Sequence, residues 1–322
     1  MPHRTPPEPF HPELRGARWL PLVSAGPRTL WLFRLGPRGA RRDPGVETTT
    51  VPFAGPAGAM TYRVFRPGGS RPAKRKLPAL LWIHGGGLIL GTPQQDDASN
   101  IALSRDLGIA VFSASYRLAP QHPAPAALDD LVAGFRELVA RADEFGIDPA
   151  RIAIGGASAG GGLAAALAQR LLDEGGPQPV FQLLVYPMLD DRTALRDDID
   201  ARHMRGWSPA SNRFAWSAYL GPAAEATGIR SSVVPARRRD LRGLPPAWIG
   251  VGTLDLFYDE DVTYARRLEE AGVPCELHVV PGAFHGFDAL YRHAGVSRAF
   301  HAEWVRVLRA ALSLGDAARS VG

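Results

Sequence analysis

The sequence predicts an α/β protein built on a mostly parallel sheet with helices on both faces. Short apolar runs alternate with longer helical patterns, as in repeated strand–helix–strand units. From residue 78 onward the candidate strands are nearly continuous apolar runs, as expected of strands covered on both faces. The chain has 322 residues, 45% of them hydrophobic and 21% charged, an ordinary globular composition long enough to bury a large core.

In chain order, residues 1–45 are rich in Pro and Arg, with scattered Trp19, Trp31 and Phe33, and do not fit the alternation. A strand near 46–53 and another at 60–66 read as an antiparallel edge. Strands at 78–84, 109–115, 151–156, 181–187, 246–251 and 275–280 alternate with helices at 95–107, 125–144, 159–173, 259–272 and 297–313. Residues 190–243 interrupt the pattern. Within them "SPASNRFAWSAYLG" offers Ser208 as a helix cap and Pro209 as a first helical residue. An insertion after a strand, where open α/β sheets bind ligands, predicts a cover over a site. The expected division is a cap segment 1–45, a catalytic core 46–189 and 244–322, and a cap insertion 190–243.

Composition narrows the function. The single cysteine, Cys275, excludes an intramolecular disulfide, and its setting in "CELHVV" is that of a small strand residue. The formal net charge is +5, and residues 1–47 hold eight Arg against four acids. The further basic clusters "RPAKRK" and "RRRDLR" read as solvated loops. No basic face with interleaved aromatics points to nucleic acid. The first residues, "MPHRTPPEPFHPELR", have no apolar core of a signal peptide, and no run approaches 18 apolar residues. The expected compartment is the cytoplasm, with no membrane contact. No HExxH or Cys/His cluster implies a metal, and no GxGxxG or GxxxxGK[ST] opens a helix. No cofactor is expected.

The chemistry lies at strand ends. In "RIAIGGASAGGGLAAALAQRLL", Gly156-Ala157-Ser158-Ala159-Gly160 stands between an apolar strand and an Ala/Leu-rich helix. G-x-S-x-G alone arises by chance in roughly one chain of this composition in six, so the strand–turn–helix context carries the argument. The turn presents the Ser158 hydroxyl at a helix N-terminus, where developing negative charge is favoured. A serine attacking a carbonyl creates an oxyanion, best held by fixed backbone N–H donors. "HGGG" at 84–87 follows the strand 78–84 and supplies a backbone free of side chains. Gly86, Gly87 and Ala159 are the expected donors, Gly85 makes the turn, and His84 braces the loop. A serine also needs a base and an orienting acid. Asp255 in "GTLDLFYDED" and His285 in "PGAFHGFD" follow successive strand ends in the order Ser, acid, His. Asp259 and Asp261 fall inside the next helix and are weaker candidates.

With these motifs on the page, the chain resembles the hormone-sensitive-lipase-like carboxylesterases of the α/β-hydrolase fold. "HGGG", "YRLAPQHPAPAALDD", "GASAGGGLAA", "YPMLDD", "GTLDLFYDE" and "HGF" carry the resemblance over residues 45–314. It implies an eight-stranded sheet, a helical cap from the N-terminus and the insertion after the sixth strand, and ester hydrolysis without cofactor. Ser158, Asp255 and His285 fall on the family's triad, and Gly86, Gly87 and Ala159 on its oxyanion donors. Homodimers are common in that family. This chain departs from it at Ala157, where an acid or Thr is common, and at Leu88, where an aromatic is common. Arg117, Pro120 and Asp130 are expected to fix a loop and start a helix beneath the site. The expected pocket wall is Leu88, Trp207, Phe214, Leu254 and Phe284. Short- to medium-chain esters are the expected substrates. The competing functions are an amidase or peptidase with the same triad, and a non-catalytic receptor, which would be expected to carry a broken one.

Overall fold

The structure, a computed structural model, describes residues 10–22, 24–33, 43–68, 76–222 and 230–313. His3, the side chain of Phe33 and all of "RPAKRK" except Lys76 lie outside the described residues.

Eight strands form one sheet: β1 (Val46–Gly55), β2 (Gly58–Pro67), β3 (Leu77–Ile83), β4 (Ala110–Ala114), β5 (Ile147–Ala157), β6 (Gln182–Val185), β7 (Ala247–Gly252) and β8 (Cys275–Val280). Their order is β1-β2-β4-β3-β5-β6-β7-β8. β1 and β2 pair antiparallel, as does β2 with β4, and every other pairing is parallel. The apolar run of β3 shows why the central strands carry no polar face. Ala79, Leu81 and Ile83 enter the core beneath the helices Ala126–Ala140 and Ala159–Glu174, while Leu80 and Trp82 enter the core on the opposite side. Successive side chains point to opposite faces, so burial on both sides requires both to be apolar.

The five helices expected between the strands are present, at Asp97–Leu107, Ala126–Ala140, Ala159–Glu174, Tyr258–Glu270 and Gly295–Ala311. Five of the ten residues from Ala159 to Ala168 are alanine and three are glycine, which brings the helix close to the sheet. An ion pair ties sheet to helix: Arg63 Nε of β2 donates to Asp97 Oδ1 at 2.6 Å, with Asp97 almost fully buried. Cys275 opens β8, half-buried, its thiol pushed up to about 12 by burial. No helix among the described residues is long and apolar enough to cross a membrane. In "RRRDLR", Arg237, Arg238 and Arg242 pair with Asp191, Asp173 and Asp240.

The two segments outside the alternation meet each other. Ser208 caps the helix Pro209–Leu220, accepting from Ser211 N, with Pro209 at its first position. The Ser24 and Ser208 hydroxyls are 2.8 Å apart, and Ala25 N donates to Ser211 Oγ at 2.8 Å. The N-terminal segment, however, divides. Its 3-10 helix Pro12–Trp19 buries Leu14 and Ala17, and His11 N donates to Gly282 O at 2.9 Å. That part packs with the C-terminal helix on the core, and Glu13 accepts from Gly295 N at that helix's start. Among the described residues of this segment, the stretch around Ala25 reaches the cavity at the strand ends, while Arg205 of the insertion donates back to Ala17 O of the 3-10 helix at 2.8 Å.

Candidate active site

Ser158 sits in the turn between β5 and the helix Ala159–Glu174, with φ 58° and ψ −123°. A non-glycine residue in that region is strained and persists only where its surroundings hold it. Here Ser158 N donates to Val185 O at 2.9 Å, and its carbonyl accepts from Gly162 N and Met188 N, each at 3.0 Å. Gly160 makes the turn sterically possible, because a Cβ there would stand 2.0 Å from Ile83 O.

Ser158 Oγ lies 2.9 Å from His285 Nε2. His285 Nδ1 lies 2.9 Å from Asp255 Oδ2 and 3.1 Å from Oδ1. Asp255 is fixed in turn by the Phe257 amide, which donates to Oδ1 at 3.0 Å. Edge-on contacts from Tyr186 and Phe257, centroids 4.8 and 5.2 Å away, hold the imidazole plane. All three residues are buried, with 7% or less of their surface exposed. The two weaker acids are elsewhere. Asp259 is exposed and paired with Arg196 at 2.5 Å. Asp261 is wholly buried, its carboxyl pushed well above the usual range by burial, then by Glu260 and Asp255.

The "HGGG" loop lies against the serine. Gly86 has φ 122°, and a Cβ there would meet Leu90 O at 2.0 Å. Its carbonyl accepts from Ile89 N and Leu90 N at 3.1 and 3.0 Å, which turns the loop back on itself. Among the described residues the amides of Gly86, Gly87 and Ala159 donate no backbone hydrogen bond. His84 braces the loop as expected. It is buried, stacks on Tyr116 with centroids 4.2 Å apart, and its Nδ1 donates to Gly85 O at 2.8 Å. Burial pushes its imidazole down to about 4, so it stays neutral. The "YRLAP" stretch also supports the loop. Arg117 Nε donates to buried Asp130 at 2.9 Å, and Ala119 N donates to Leu88 O at 3.0 Å. If the Gly86 amide holds an oxyanion as expected, Gly86→Ala lowers kcat by roughly 10²–10³-fold, with substrate binding largely kept. Steady-state kinetics on a soluble ester, with circular dichroism to establish folding, measures this. Near-full kcat would remove Gly86 from the donor set.

A cavity of about 270 Å³ opens at Ser158 and His285. Its wall corrects the expected one. Trp207 lines it, but Leu88, Phe214, Leu254 and Phe284 do not. Leu88 has φ 67° and points into the core, where it is buried, so Leu90 takes its place at the wall. Phe284 is fully buried against Phe10 and Tyr291, and Leu254 packs in the same core. Phe214 packs against the opposite core. Trp19 and Trp31 are 78% and 66% exposed and cover nothing, while Trp216 is buried. Sequence reading missed Ala25, Leu90, Gln95, Asp96, Tyr186 and Ser211, all of which line the cavity. Tyr186 directly follows β6, as Ser158, Asp255 and His285 follow β5, β7 and β8, so its position past a strand end marks it in the sequence. Gln95 and Asp96 follow the glycine loop by a few residues, and nothing in their spacing marks them. No group of three or more His, Cys, Asp or Glu that could hold a metal occurs among the described residues. A larger cavity, about 590 Å³ and lined by Arg192, Arg196, Arg237 and Tyr264, lies apart from Ser158.

A family model described as the α/β-hydrolase fold matches residues 80–289. The chain is similar to the carboxylic ester hydrolase LipN of Mycobacterium tuberculosis, 38% identical over 275 residues, covering 83% of this chain and 71% of LipN. It is similar to the esterase LipI of the same organism, 35% identical over 247 residues and covering 76% of each. Among solved structures it resembles a bacterial heroin esterase with TM-score 0.84 and 35% identity, covering 94% of this chain and 98% of that one. The esterase LipW from Mycobacterium marinum gives TM-score 0.80 at 31% identity, covering 94% and 96%.

Proposed function

The chain belongs to the hormone-sensitive-lipase-like carboxylesterases of the α/β-hydrolase fold and is a carboxylic ester hydrolase, and from that premise we propose that it cleaves small esters through an acyl-enzyme on Ser158. The observation that carries this reading is the continuous chain of contacts from Ser158 Oγ through His285 to Asp255, with 2.9 Å at each link.

In the first half-reaction Ser158 Oγ attacks the ester carbonyl carbon while His285 Nε2 takes the hydroxyl proton. The tetrahedral oxyanion receives hydrogen bonds from Gly86, Gly87 and Ala159, at the N-terminus of the helix Ala159–Glu174. Asp255 holds the Nδ1–H and stabilises the imidazolium without taking its proton. Collapse breaks the bond to the alcohol, which leaves with the proton from His285. In the second half-reaction water gives its proton to His285 and attacks the acyl carbon. The second collapse returns the proton to Ser158 Oγ and releases the acid. No step needs a cofactor.

The stretch around Ala25 and the insertion 190–243 act together as a cap. Ala25, Gly206, Trp207 and Ser211 supply the upper wall of the cavity. A cavity of about 270 Å³ lies at the small end of ligand pockets, which favours acyl chains of about four to eight carbons. Each further buried CH₂ contributes about 0.8 kcal/mol, roughly fourfold in kcat/KM, until the space is filled. On p-nitrophenyl esters, activity is therefore expected to rise from acetate to butyrate or hexanoate and fall steeply by dodecanoate. A maximum at palmitate would overturn the chain-length assignment.

A further inference from the structure

Ester hydrolysis leaves Asp96 without a task. It is half-buried and lines the cavity together with Ser158, Tyr186 and Trp207. Its Oδ2 accepts from Trp82 Nε1 at 2.8 Å. It precedes the helix Asp97–Leu107 but makes no side-chain capping bond to it. No Arg, Lys or His pairs with it among the described residues.

The titratable groups facing Asp96 from the surrounding elements are acids, phenols and a neutral ring. Asp288, Tyr186 and Tyr116 lie within its electrostatic reach. Neighbouring Asp97 is already matched by Arg63. His84 is held neutral by burial, and His285, across the cavity, is committed to Asp255 and Ser158. Burial pushes the Asp96 carboxyl up to about 6, against hydrogen bonds from Trp82 and Gln95 that lower it, and Asp288 and Asp97 add to the rise. Above that pH the cavity holds a negative charge that no cation among the described residues answers. An unpaired charge in such a place is costly, and it works against an oxyanion forming nearby. The aromatic walls, Trp207 and Tyr186, are side chains whose ring faces attract cations.

We infer that Asp96 is a specificity-determining residue that favours esters carrying an ammonium group, seated in the cavity between its carboxylate and the aromatic walls. The inference rests on the serine-esterase reading and names its substrate class. A substrate cation would supply the missing countercharge and remove the penalty on the oxyanion, so the preference should appear in kcat/KM.

The test compares butyrylcholine with 3,3-dimethylbutyl butyrate, which has the same shape with carbon in place of the charged nitrogen. At pH 8 the wild-type enzyme is expected to favour butyrylcholine about tenfold in kcat/KM. Asp96→Asn should bring the ratio to about one or below. Lowering the pH to about 5 protonates Asp96, so the wild-type preference should disappear there and return above pH 6. A ratio within one preparation is insensitive to misfolded protein, and choline against 3,3-dimethylbutanol as inhibitors of p-nitrophenyl butyrate hydrolysis gives a second reading without turnover of either ester. Equal or reversed preference in the wild type, or a preference that survives Asp96→Asn, overturns the inference. Failure to hydrolyse p-nitrophenyl butyrate at all would instead overturn the esterase reading beneath it.

Discussion

Ser158→Ala is expected to lower kcat by on the order of 10⁶-fold, the loss measured when a triad serine is removed from a comparable enzyme. The size follows from the mechanism. Without Oγ there is no acyl-enzyme, and only the backbone donors and substrate binding remain to act on water. The substitution removes one buried hydroxyl from a site fixed by backbone bonds to Val185, Gly162 and Met188, so the fold should persist. Active-site labelling gives the same information directly. A serine-directed phosphonate should add one equivalent of mass to the peptide carrying Ser158 in the wild type and none in the variant. Labelling at another residue, or near-full activity in the variant, would remove Ser158 from the reaction.

Asp255→Asn is expected to cost roughly 10⁴-fold in kcat while the protein stays folded. The carboxylate accepts from both His285 Nδ1 and the Phe257 amide. An amide at this position can accept from one of them but can also present an N–H to Nδ1, which selects the wrong imidazole tautomer and leaves Nε2 protonated. Asp259→Asn serves as the comparison, because Asp259 is exposed and paired with Arg196 rather than with the imidazole. If Asp259→Asn were the more damaging change, the acid assignment would be wrong.

Strand positions and triad candidates were legible because both are local patterns. β3 announces itself by an unbroken apolar run, and Ser158, Asp255 and His285 each follow a strand end within a few residues. The expected oxyanion loop was legible for a similar reason, since a histidine and three glycines directly after an apolar strand end the strand pattern with no helical pattern taking over. The cavity wall was not. Leu88 and Leu90 are two positions apart in one loop, and only the backbone turn at Gly86 decides which of them faces Ser158. Trp19 and Trp31 looked like cover by composition, yet their placement depends on how a Pro- and Arg-rich segment crosses the surface. Asp96 became visible only when Trp82, buried on one face of the sheet, proved to hold it at the cavity.

The seam between Ser24–Ala25 and Ser208–Ser211 joins residues up to 186 positions apart. Chains emerge from the ribosome at about 5–20 residues per second, so roughly 10–40 seconds separate the appearance of the two halves. Throughout that interval the early half of the roof has no partner. The serine, its turn and the glycine loop are all complete before Asp255 and His285 exist. On the proposed mechanism, the newborn molecule thus makes its nucleophile first and its base last, and the roof around the serine can be assembled before the chemistry is switched on.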